Sequence, residues 1–172
     1  TANDGSLWLG ANDTGLVKFD TEKRTFRTYP YVLIKNQSNR AYLYFIILQD
    51  RDGLVWMGTW GKGLVVFNPA DETFTNINAE PRTPWGLSGE FILDLFEDRS
   101  GVLWIGTKMG GMSILPRYRD KFRHYYKRPG GLSGDYVNCF YQDHTGSLWI
   151  GTESRGLNKW DRKTGDFTLY RT

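Results

Sequence analysis

The chain has 172 residues, enough for one domain of ordinary size, and it is 40% hydrophobic with 16% aromatic residues. This composition excludes a disordered chain, because disordered chains are poor in aromatic residues. The net charge of +3 comes without the basic clustering of a nucleic-acid-binding protein, no apolar run approaches the length of a membrane span, and the single cysteine excludes an internal disulfide.

From its first residues onward the chain consists of a unit that recurs four times. Each copy holds a Gly-x-x-Trp-x-Gly segment, and the four tryptophans are separated by 48, 48 and 45 residues. The repeated positions are Trp8, Gly10, Trp56, Gly58, Trp104, Gly106, Trp149 and Gly151. A period of about 40–50 residues is typical of β-propeller blades, each a sheet of four antiparallel strands.

The blades are therefore predicted in chain order. Blade 1 is incomplete at 1–30 and lacks its innermost strand, and the others fall at about 41–78, 90–126 and 135–172. The fold class is all-β, with a partial propeller of about four blades over residues 1–172. Closed rings use about four to eight blades. We therefore expect a piece of a longer protein, forming an open arc or pairing with a second copy through its exposed blade faces.

Within each later copy, four strands follow one another. The innermost strands are predicted at Tyr42–Gln49, Phe91–Glu97 and Tyr136–Gln142, and an outermost strand at Phe122–Tyr126. The turn after each innermost strand begins with Asp, which can cap it, and ends with Gly, which accepts a positive φ. In the tryptophan strand, Trp104 and Gly106 face one side and Leu103 and Ile105 the other. Both faces of a blade should therefore be apolar, and the glycine leaves room for the next blade.

These motifs resemble a known family. Gly86-Leu-Ser88 precedes an apolar strand, Glu97-Asp98 ends it, and Gly101-Val-Leu-Trp-Ile-Gly-Thr107 follows. This pattern resembles the two-component regulator propeller repeat over almost the whole chain, with departures at Ala11 and at Leu115-Pro116.

The resemblance implies a function carried by a larger receptor. Proteins with such repeats are typically bacterial receptors with a periplasmic sensor region of two propellers and a β-sandwich, then a membrane helix and a histidine kinase. Many sense oligosaccharides. The chain is therefore expected to be a periplasmic sensor fragment that is not itself an enzyme, needs no cofactor, meets the membrane only through its parent protein, and pairs as a homodimer.

Candidate ligand residues lie in two sets of loops, those that enter the innermost strand and those that join the second and third strands. The second set varies between copies while its flanks stay constant, as a recognition surface on a repeated scaffold would. Aromatic rings stack on sugars, and Lys and Arg bind carboxylates or sulfates. The predicted ligand-binding residues are Trp60, Lys62, Trp85, Lys108 and Arg155, with Arg40, Arg82 and Arg128 as further cations in the entering loops.

Other reactive side chains do not form a recognisable centre. His124 and His144 are predicted not to converge, and no catalytic or metal-binding spacing is present. Cys139 is predicted to be a small buried hydrophobe, and Asp94 a carboxylate bonded to backbone or water, or else a ligand contact. Two alternatives remain: a structural or dimerisation propeller without a ligand site, and a propeller enzyme resembling the streptogramin lyases.

Overall fold

The computed structural model describes residues 2–11, 15–31, 44–81, 83, 85–117 and 121–171. Within these residues every regular element is a strand, in one sheet of three strands and three sheets of four. Blade 1 holds β1 (Leu7–Ala11), β2 (Gly15–Asp20) and β3 (Thr25–Tyr29), and blade 2 holds β4 (Tyr44–Gln49), β5 (Val55–Thr59), β6 (Leu64–Asn68) and β7 (Thr73–Ile77). Blade 3 holds β8 (Ile92–Glu97), β9 (Leu103–Thr107), β10 (Met112–Leu115) and β11 (Arg123–Tyr125), and blade 4 holds β12 (Val137–Gln142), β13 (Leu148–Thr152), β14 (Gly156–Trp160) and β15 (Phe167–Tyr170).

Within each sheet every strand pairs antiparallel with its neighbour in sequence, so that each blade is a simple meander. This confirms the predicted all-β class and the predicted order of strands. Some boundaries differ by one residue: β8 and β12 begin one residue later than predicted, and the outermost strand of blade 3 spans Arg123–Tyr125 rather than Phe122–Tyr126. The backbone N–H of Phe122 donates to the carbonyl of Trp85 instead of to the sheet, while its ring remains buried.

The core is divided into layers between successive blades. Trp56 of blade 2 packs in one cluster with Leu103 and Ile105 of blade 3, and Trp104 packs in the next cluster with residues of blade 4. The two faces of β9 therefore belong to different layers, as the alternation of a strand requires. Trp104 and Ile105 are both fully buried. The prediction that both faces of a blade are apolar is confirmed.

The glycine two residues after the tryptophan lets the next blade approach. A Cβ atom on Gly58 would lie 2.7 Å from Cγ2 of Ile92, and one on Gly106 would lie 2.6 Å from the backbone oxygen of Val137. Both neighbours belong to the innermost strand of the following blade. The repeated glycine thus sets the spacing between blades.

In blades 2, 3 and 4 the aspartate that begins the turn also bonds to the tryptophan of the core. In blade 3, Oδ1 of Asp98 accepts hydrogen bonds from the backbone N–H groups of Ser100 and Val102, at 2.8 and 3.2 Å. Its Oδ2 accepts the indole N–H of Trp104 at 2.8 Å. Asp50 and Asp143 bond to Trp56 and Trp149 in the same way. One carboxylate therefore couples the turn to the tryptophan in the core.

Blade 1 has Ala2 at the aspartate position and uses a different acceptor. The indole N–H of Trp8 donates to Oε1 of Gln49 at 3.3 Å, and Gln49 ends the innermost strand of blade 2. The same oxygen accepts the backbone N–H of Asn3 at 2.9 Å. Blade 2 thus supplies the hydrogen-bond acceptor for the Trp8 indole, because the turn of blade 1 has no aspartate to do so.

Turns of adjacent blades are joined by arginines. The backbone N–H and Nε of Arg51 donate to the carboxylate of Glu97 at 3.0 and 2.6 Å, and its Nη2 donates to the backbone oxygen of Asp98 at 2.7 Å. Arg99 repeats this contact one blade further, where its N–H donates to Gln142 at 3.0 Å. These bonds link blades 2, 3 and 4 along the face that carries the aspartate turns, which we call the turn face.

The prediction that Cys139 is buried is wrong. Cys139 is exposed. It lies opposite Gly151 in the pairing of β12 with β13, and a Cβ on that glycine would meet its sulfur at 2.5 Å. The aligned Ile46 and Asp94 lie on faces that a following blade covers, whereas this face of blade 4 is open in the described chain. Leu7 and Leu9 of blade 1 are similarly 37% and 42% exposed.

Candidate functional site

The candidate site lies at the opposite edge of the blades, where hairpins join the second and third strands. In blades 2, 3 and 4 the second strand ends in a threonine whose hydroxyl donates to the backbone oxygen of the glycine at the start of the third strand. The distances are 2.8 Å for Thr59 to Gly63 and 2.9 Å for Thr107 to Gly111. Both glycines have positive φ, which a side chain would disfavour. The hairpin ends are thus constant, and the residues between them are free to differ.

The two loop sets share one face of the arc, which we call the hairpin face. The backbone N–H groups of Gly61 and Gly63 donate to the carbonyl of Glu90, at 3.1 and 2.9 Å. Glu90 lies in the loop that enters blade 3. In the same way Gly111 donates to Asp135, which enters blade 4, at 2.9 Å. The hairpins of blades 2 and 3 are therefore each bonded to the entrance of the next blade.

Three side chains meet where the hairpin of blade 2 reaches blade 3. The ring of Trp60 packs edge-on against Phe91, with centroids 5.2 Å apart, and the two residues form an isolated β-bridge. Nζ of Lys108 lies 4.9 Å from the centroid of the Trp60 ring. Trp60 is 39% exposed. The result is an aromatic surface with a cation placed over it, open to solvent.

Met109 follows Lys108 in the hairpin of blade 3. It has a φ of 73° at the tip of the blade 3 hairpin and is 69% exposed. Blade 2 has Gly61, with a φ of 102°, at the aligned position. A methionine in this conformation is strained, because positive φ is uncommon outside glycine and asparagine. Neither Phe91 nor Met109 was among the predicted ligand residues, although Met109 lies in the loop set whose sequence varies.

The other predicted ligand residues are more widely distributed. Lys62 follows Trp60 in the same hairpin, and its backbone N–H donates to Oγ1 of Thr59 at 3.0 Å. Arg155 lies in the hairpin of blade 4 and packs against Gly134, at the entrance of its own blade. Trp85 is 56% exposed and is associated with the outer side of blade 3, where Nζ of Lys121 lies 5.6 Å from its ring centroid. The structure thus joins Trp60 to Lys108 directly. Arg40 and Arg82 lie outside the described residues.

Asp94 has a structural partner. It is half-buried on β8, where Oδ2 accepts the backbone N–H of Phe140 in blade 4 at 2.8 Å and Oδ1 accepts that of Leu95 at 3.0 Å. Burial raises the pKa of this carboxyl above its usual value, although the two backbone N–H groups act to lower it. The interpretation that Asp94 is bonded to neighbouring backbone is confirmed.

The histidines remain apart, as predicted. His124 on β11 contacts the backbone oxygen of Gly86 and the hydroxyl of Tyr126. His144 lies in the turn after β12, where its carbonyl accepts from Arg99 at 3.3 Å. Within the described ranges, no group of three His, Cys, Asp or Glu side chains is placed to hold a metal ion. Those ranges also contain no helix that is long and apolar enough to cross a membrane.

Repeated four-stranded meanders, stacked through a tryptophan on one face and aliphatic residues on the other, define a protein of the β-propeller class. Three segments of the chain, residues 38–61, 86–109 and 131–154, match the model of the two component regulator propeller family. This match confirms the resemblance drawn from the sequence. No curated protein matches the chain.

Solved structures with the same fold include proteins described as extracellular domains of hybrid two component systems. A protein described as the extracellular domain of hybrid two component system BT3049 from B. thetaiotaomicron is 27% identical over 95% of this chain, with a TM-score of 0.70. The extracellular domain of BT4673 from the same organism is 22% identical over 98%, with a TM-score of 0.71. This chain spans 21% and 24% of those two chains.

The same fold also occurs in another setting. PorZ, a surface component of the type-IX secretion system of Porphyromonas gingivalis, is 16% identical over 93% of this chain, with a TM-score of 0.66, and this chain spans 24% of PorZ. At this identity the likeness concerns the fold alone. The function must therefore be argued from the site rather than from the blades.

Proposed function

We propose that this chain is part of the extracytoplasmic, periplasmic ligand-sensing propeller of a bacterial two-component sensor histidine kinase, and that it binds an oligosaccharide on the hairpin face. Two comparisons support the receptor class: the family repeats and the 27% identity to a protein described as an extracellular domain of a hybrid two component system. Phosphotransfer would belong to other domains of the parent protein, and this chain would supply recognition.

The observation that carries the ligand proposal is the pair Trp60 and Lys108. An exposed indole offers a flat apolar surface on which a sugar ring can stack, and it loses little side-chain entropy in doing so because Phe91 already holds it. The ammonium of Lys108 lies 4.9 Å from the ring centroid, where it can bind a hydroxyl or an acidic substituent of a stacked sugar. Lys62, in the same hairpin as Trp60, adds a second cation.

The junction between blades also suits a sensor. Glu90 accepts two backbone N–H groups from the hairpin of blade 2, and the adjoining Phe91 accepts one from Lys108 of blade 3 at 2.9 Å. A ligand on Trp60 would therefore contact residues that blades 2 and 3 contribute together. A ligand bound there would stabilise one arrangement of the two blades over others. Such a difference in affinity between two conformations is what a ligand needs in order to shift the protein from one to the other.

The test is calorimetric binding of neutral and uronate-containing oligosaccharides to the receptor ectodomain that contains this chain. Trp60→Ala should weaken binding at least about tenfold, the size of one lost aromatic contact of about 1.4 kcal/mol. Trp85→Ala is the matched control, since Trp85 is also an exposed tryptophan with a lysine over its ring but is associated with the outer side of blade 3. We propose that it does not contact the hairpin-face ligand, unlike the expectation from the sequence, so the variant should bind as the unaltered protein does. Substituting Lys62 and Arg155 should selectively weaken acidic ligands.

The competing candidate is a structural propeller that holds two receptors together as a homodimer without binding a ligand. The exposed Leu7 and Leu9 on blade 1 favour it, because they are surfaces that another sheet could cover. This candidate predicts that Trp60→Ala leaves oligosaccharide binding by the ectodomain unchanged. Equal affinities of the Trp60→Ala variant and the unaltered protein would therefore contradict the hairpin-face proposal.

A further inference from the structure

A second surface with binding chemistry lies on the outer perimeter of the arc, between the outermost strands of blades 3 and 4. Two cavities open there, of about 480 and 410 Å³. The first lies near the turn face and is lined by Arg123 and Tyr125 of the outermost strand of blade 3 together with Trp160 of blade 4. The second lies near the hairpin face and is lined by Lys127, Arg128, Phe167 and Leu169. We call the two cavities together the outer groove.

The backbone of blade 3 explains why these side chains form one row. Arg123 and Tyr125 pair with Ile114 and Met112, whose side chains are buried in the core layer between blades 3 and 4. Side chains at alternate positions share a face, so Arg123, Tyr125 and Lys127 all point towards blade 4. At about 3.3 Å per residue, the row is about 13 Å long. It offers a cation at each end with an aromatic ring between them.

The floor of the groove is apolar. The ring of Tyr125 lies edge-on to that of Phe167, with centroids 5.8 Å apart, between the two cavities. Beyond it, Leu132 is fully buried beneath the second cavity, and Leu169 is 39% exposed. The groove therefore combines a non-polar base with charged walls, the pattern expected where a ligand has a flat apolar face and anionic substituents.

The cations of the groove are available for a ligand. In the described part of the chain, the side chains of Arg123, Lys127 and Arg128 make no ion pair with a carboxylate. Asp135, which lies nearby, accepts the backbone N–H of Lys127 at 2.7 Å. Arg162 at the other cavity is paired with the buried Asp98 and bonds to Ser100. Three exposed cations thus face the groove. Among the described residues none of the three forms a salt bridge, and no acidic residue lines either cavity.

The groove between blades 2 and 3 provides an internal comparison. Ala79 and Glu80 occupy the same backbone position in that groove as Lys127 and Arg128 do in this one. Ala79 forms a parallel β-bridge with Leu87, and Lys127 forms the equivalent bridge with Leu132. The N–H of Glu80 donates to Leu87 as that of Arg128 does to Leu132. The same scaffold position therefore carries an acidic residue in one groove and a basic residue in the next. Neither the fold nor the repeat motif requires the positive charge.

We propose that the outer groove between blades 3 and 4 binds an acidic polysaccharide, with Arg123, Lys127 and Arg128 contacting its carboxylates or sulfates and Tyr125, Phe167 and Leu169 contacting its sugar rings. This site is separate from the hairpin face. It would hold an extended polymer along the side of the arc, so that a chain already anchored there could present its end to another site at a raised local concentration.

The test uses the 172-residue chain and two probes of equal length, an oligogalacturonide and a neutral galactan oligosaccharide. The chain should bind the oligogalacturonide, more weakly as sodium chloride is raised, and should bind the galactan at least about tenfold more weakly. The double substitution Lys127→Gln and Arg128→Gln should lower oligogalacturonide affinity about tenfold. The matched control is Lys23→Gln with Arg24→Gln, an exposed pair of adjacent cations on blade 1 that changes net charge equally.

Four results would overturn the proposal. The first is no binding of the oligogalacturonide by a chain whose circular dichroism shows it to be folded. The second is an equal loss of affinity in the two double variants, which would mean that overall charge rather than the groove is responsible. The third is equally tight binding of polyglutamate, which would mean that the groove recognises any polyanion. Loss of binding in Trp60→Ala without loss in the Lys127 and Arg128 variant would overturn the outer groove and leave the hairpin-face proposal standing.

Discussion

Asp94 and Phe140 join the innermost strands of blades 3 and 4, through a hydrogen bond of 2.8 Å from the backbone N–H of Phe140 to the carboxylate. The two residues are 46 positions apart. The bond places an acidic group in an otherwise apolar layer, where burial raises its pKa. A carboxyl whose pKa is raised on folding binds its proton more tightly in the folded state. The stability that it contributes is therefore present at low pH and is lost as pH rises through the folded pKa.

The first prediction concerns Asp94→Asn, which keeps an acceptor for Phe140 and removes the titration. Because the ionised carboxylate is disfavoured by burial, the variant should gain stability relative to the unaltered chain as pH rises from below 3.8 to neutrality. Urea unfolding at several pH values measures the difference. Asp94→Leu should instead lose about 1–3 kcal/mol at every pH, because the N–H of Phe140 is left without its acceptor. A difference between Asp94→Asn and the unaltered chain that does not vary with pH would contradict the account.

The second prediction concerns the tryptophans that separate the blades. Trp104 is fully buried between blades 3 and 4, whereas Trp149 is half-buried on the open face of blade 4. Trp104→Ala should lower the free energy of unfolding by about 3–5 kcal/mol. Trp149→Ala should cost clearly less, because no described blade covers it. Chemical denaturation of the two variants measures both values, and equal losses would mean that packing between blades is not what the tryptophan provides.

The third prediction concerns the repeated glycine. In Gly106→Ala the new methyl group would lie 2.6 Å from the backbone oxygen of Val137, which can move only if blade 4 moves. In Gly151→Ala it would meet the sulfur of the exposed Cys139, whose side chain can rotate away. Gly106→Ala should therefore destabilise the chain by about 1–3 kcal/mol, and Gly151→Ala by less. Thermal melts of the two variants will show the order, and a larger effect at Gly151 would refute the spacing role of Gly106.

The fourth prediction concerns the turn aspartates. Burial would raise the pKa of Asp98, but hydrogen bonds from Ser100, Trp104 and Val102 outweigh it and hold the pKa below its usual value. A lowered pKa contributes stability that is present above the unfolded value of about 3.8 and is lost as pH falls through the folded pKa. Asp98→Ala should therefore cost about 1–3 kcal/mol at neutral pH, since it leaves the indole N–H of the buried Trp104 without its acceptor. In stability measurements at pH 7 and at pH 3, the deficit should shrink at the lower pH, and a constant deficit would exclude the linkage.

The tryptophan repeat was readable from the sequence because it depends on local chemistry. A strand that packs on both faces must carry apolar residues at successive positions, and a close approach between blades needs a glycine. These requirements involve residues only a few positions apart, so the same residue types recur in each copy of the repeat. The capping role of Asp98 was predictable for the same reason, but its bond to the Trp104 indole was not, because that contact depends on how the turn folds over the strand.

The candidate site was predictable in part. Trp60 and Lys108 were both identified as members of a variable loop set, yet their contact could not be read from a sequence in which they lie on different blades. The exposure of Cys139 was missed because its alignment with Ile46 and Asp94 describes its strand position and not the neighbour that covers it. The groove beside Arg123, Tyr125 and Lys127 could not be predicted from the sequence, because residues of blade 4 form its other side.

The sequence by itself determined that this chain forms four meandering sheets with a tryptophan layer at each junction, because periodic side chains dictate which strand faces must be buried. The tertiary structure decided which loops meet, which cations lie over which rings and which faces stay open. Those contacts join residues from successive blades, and their geometry depends on how far each sheet turns relative to the one before it. The sequence of a single repeat does not specify this rotation between neighbouring sheets.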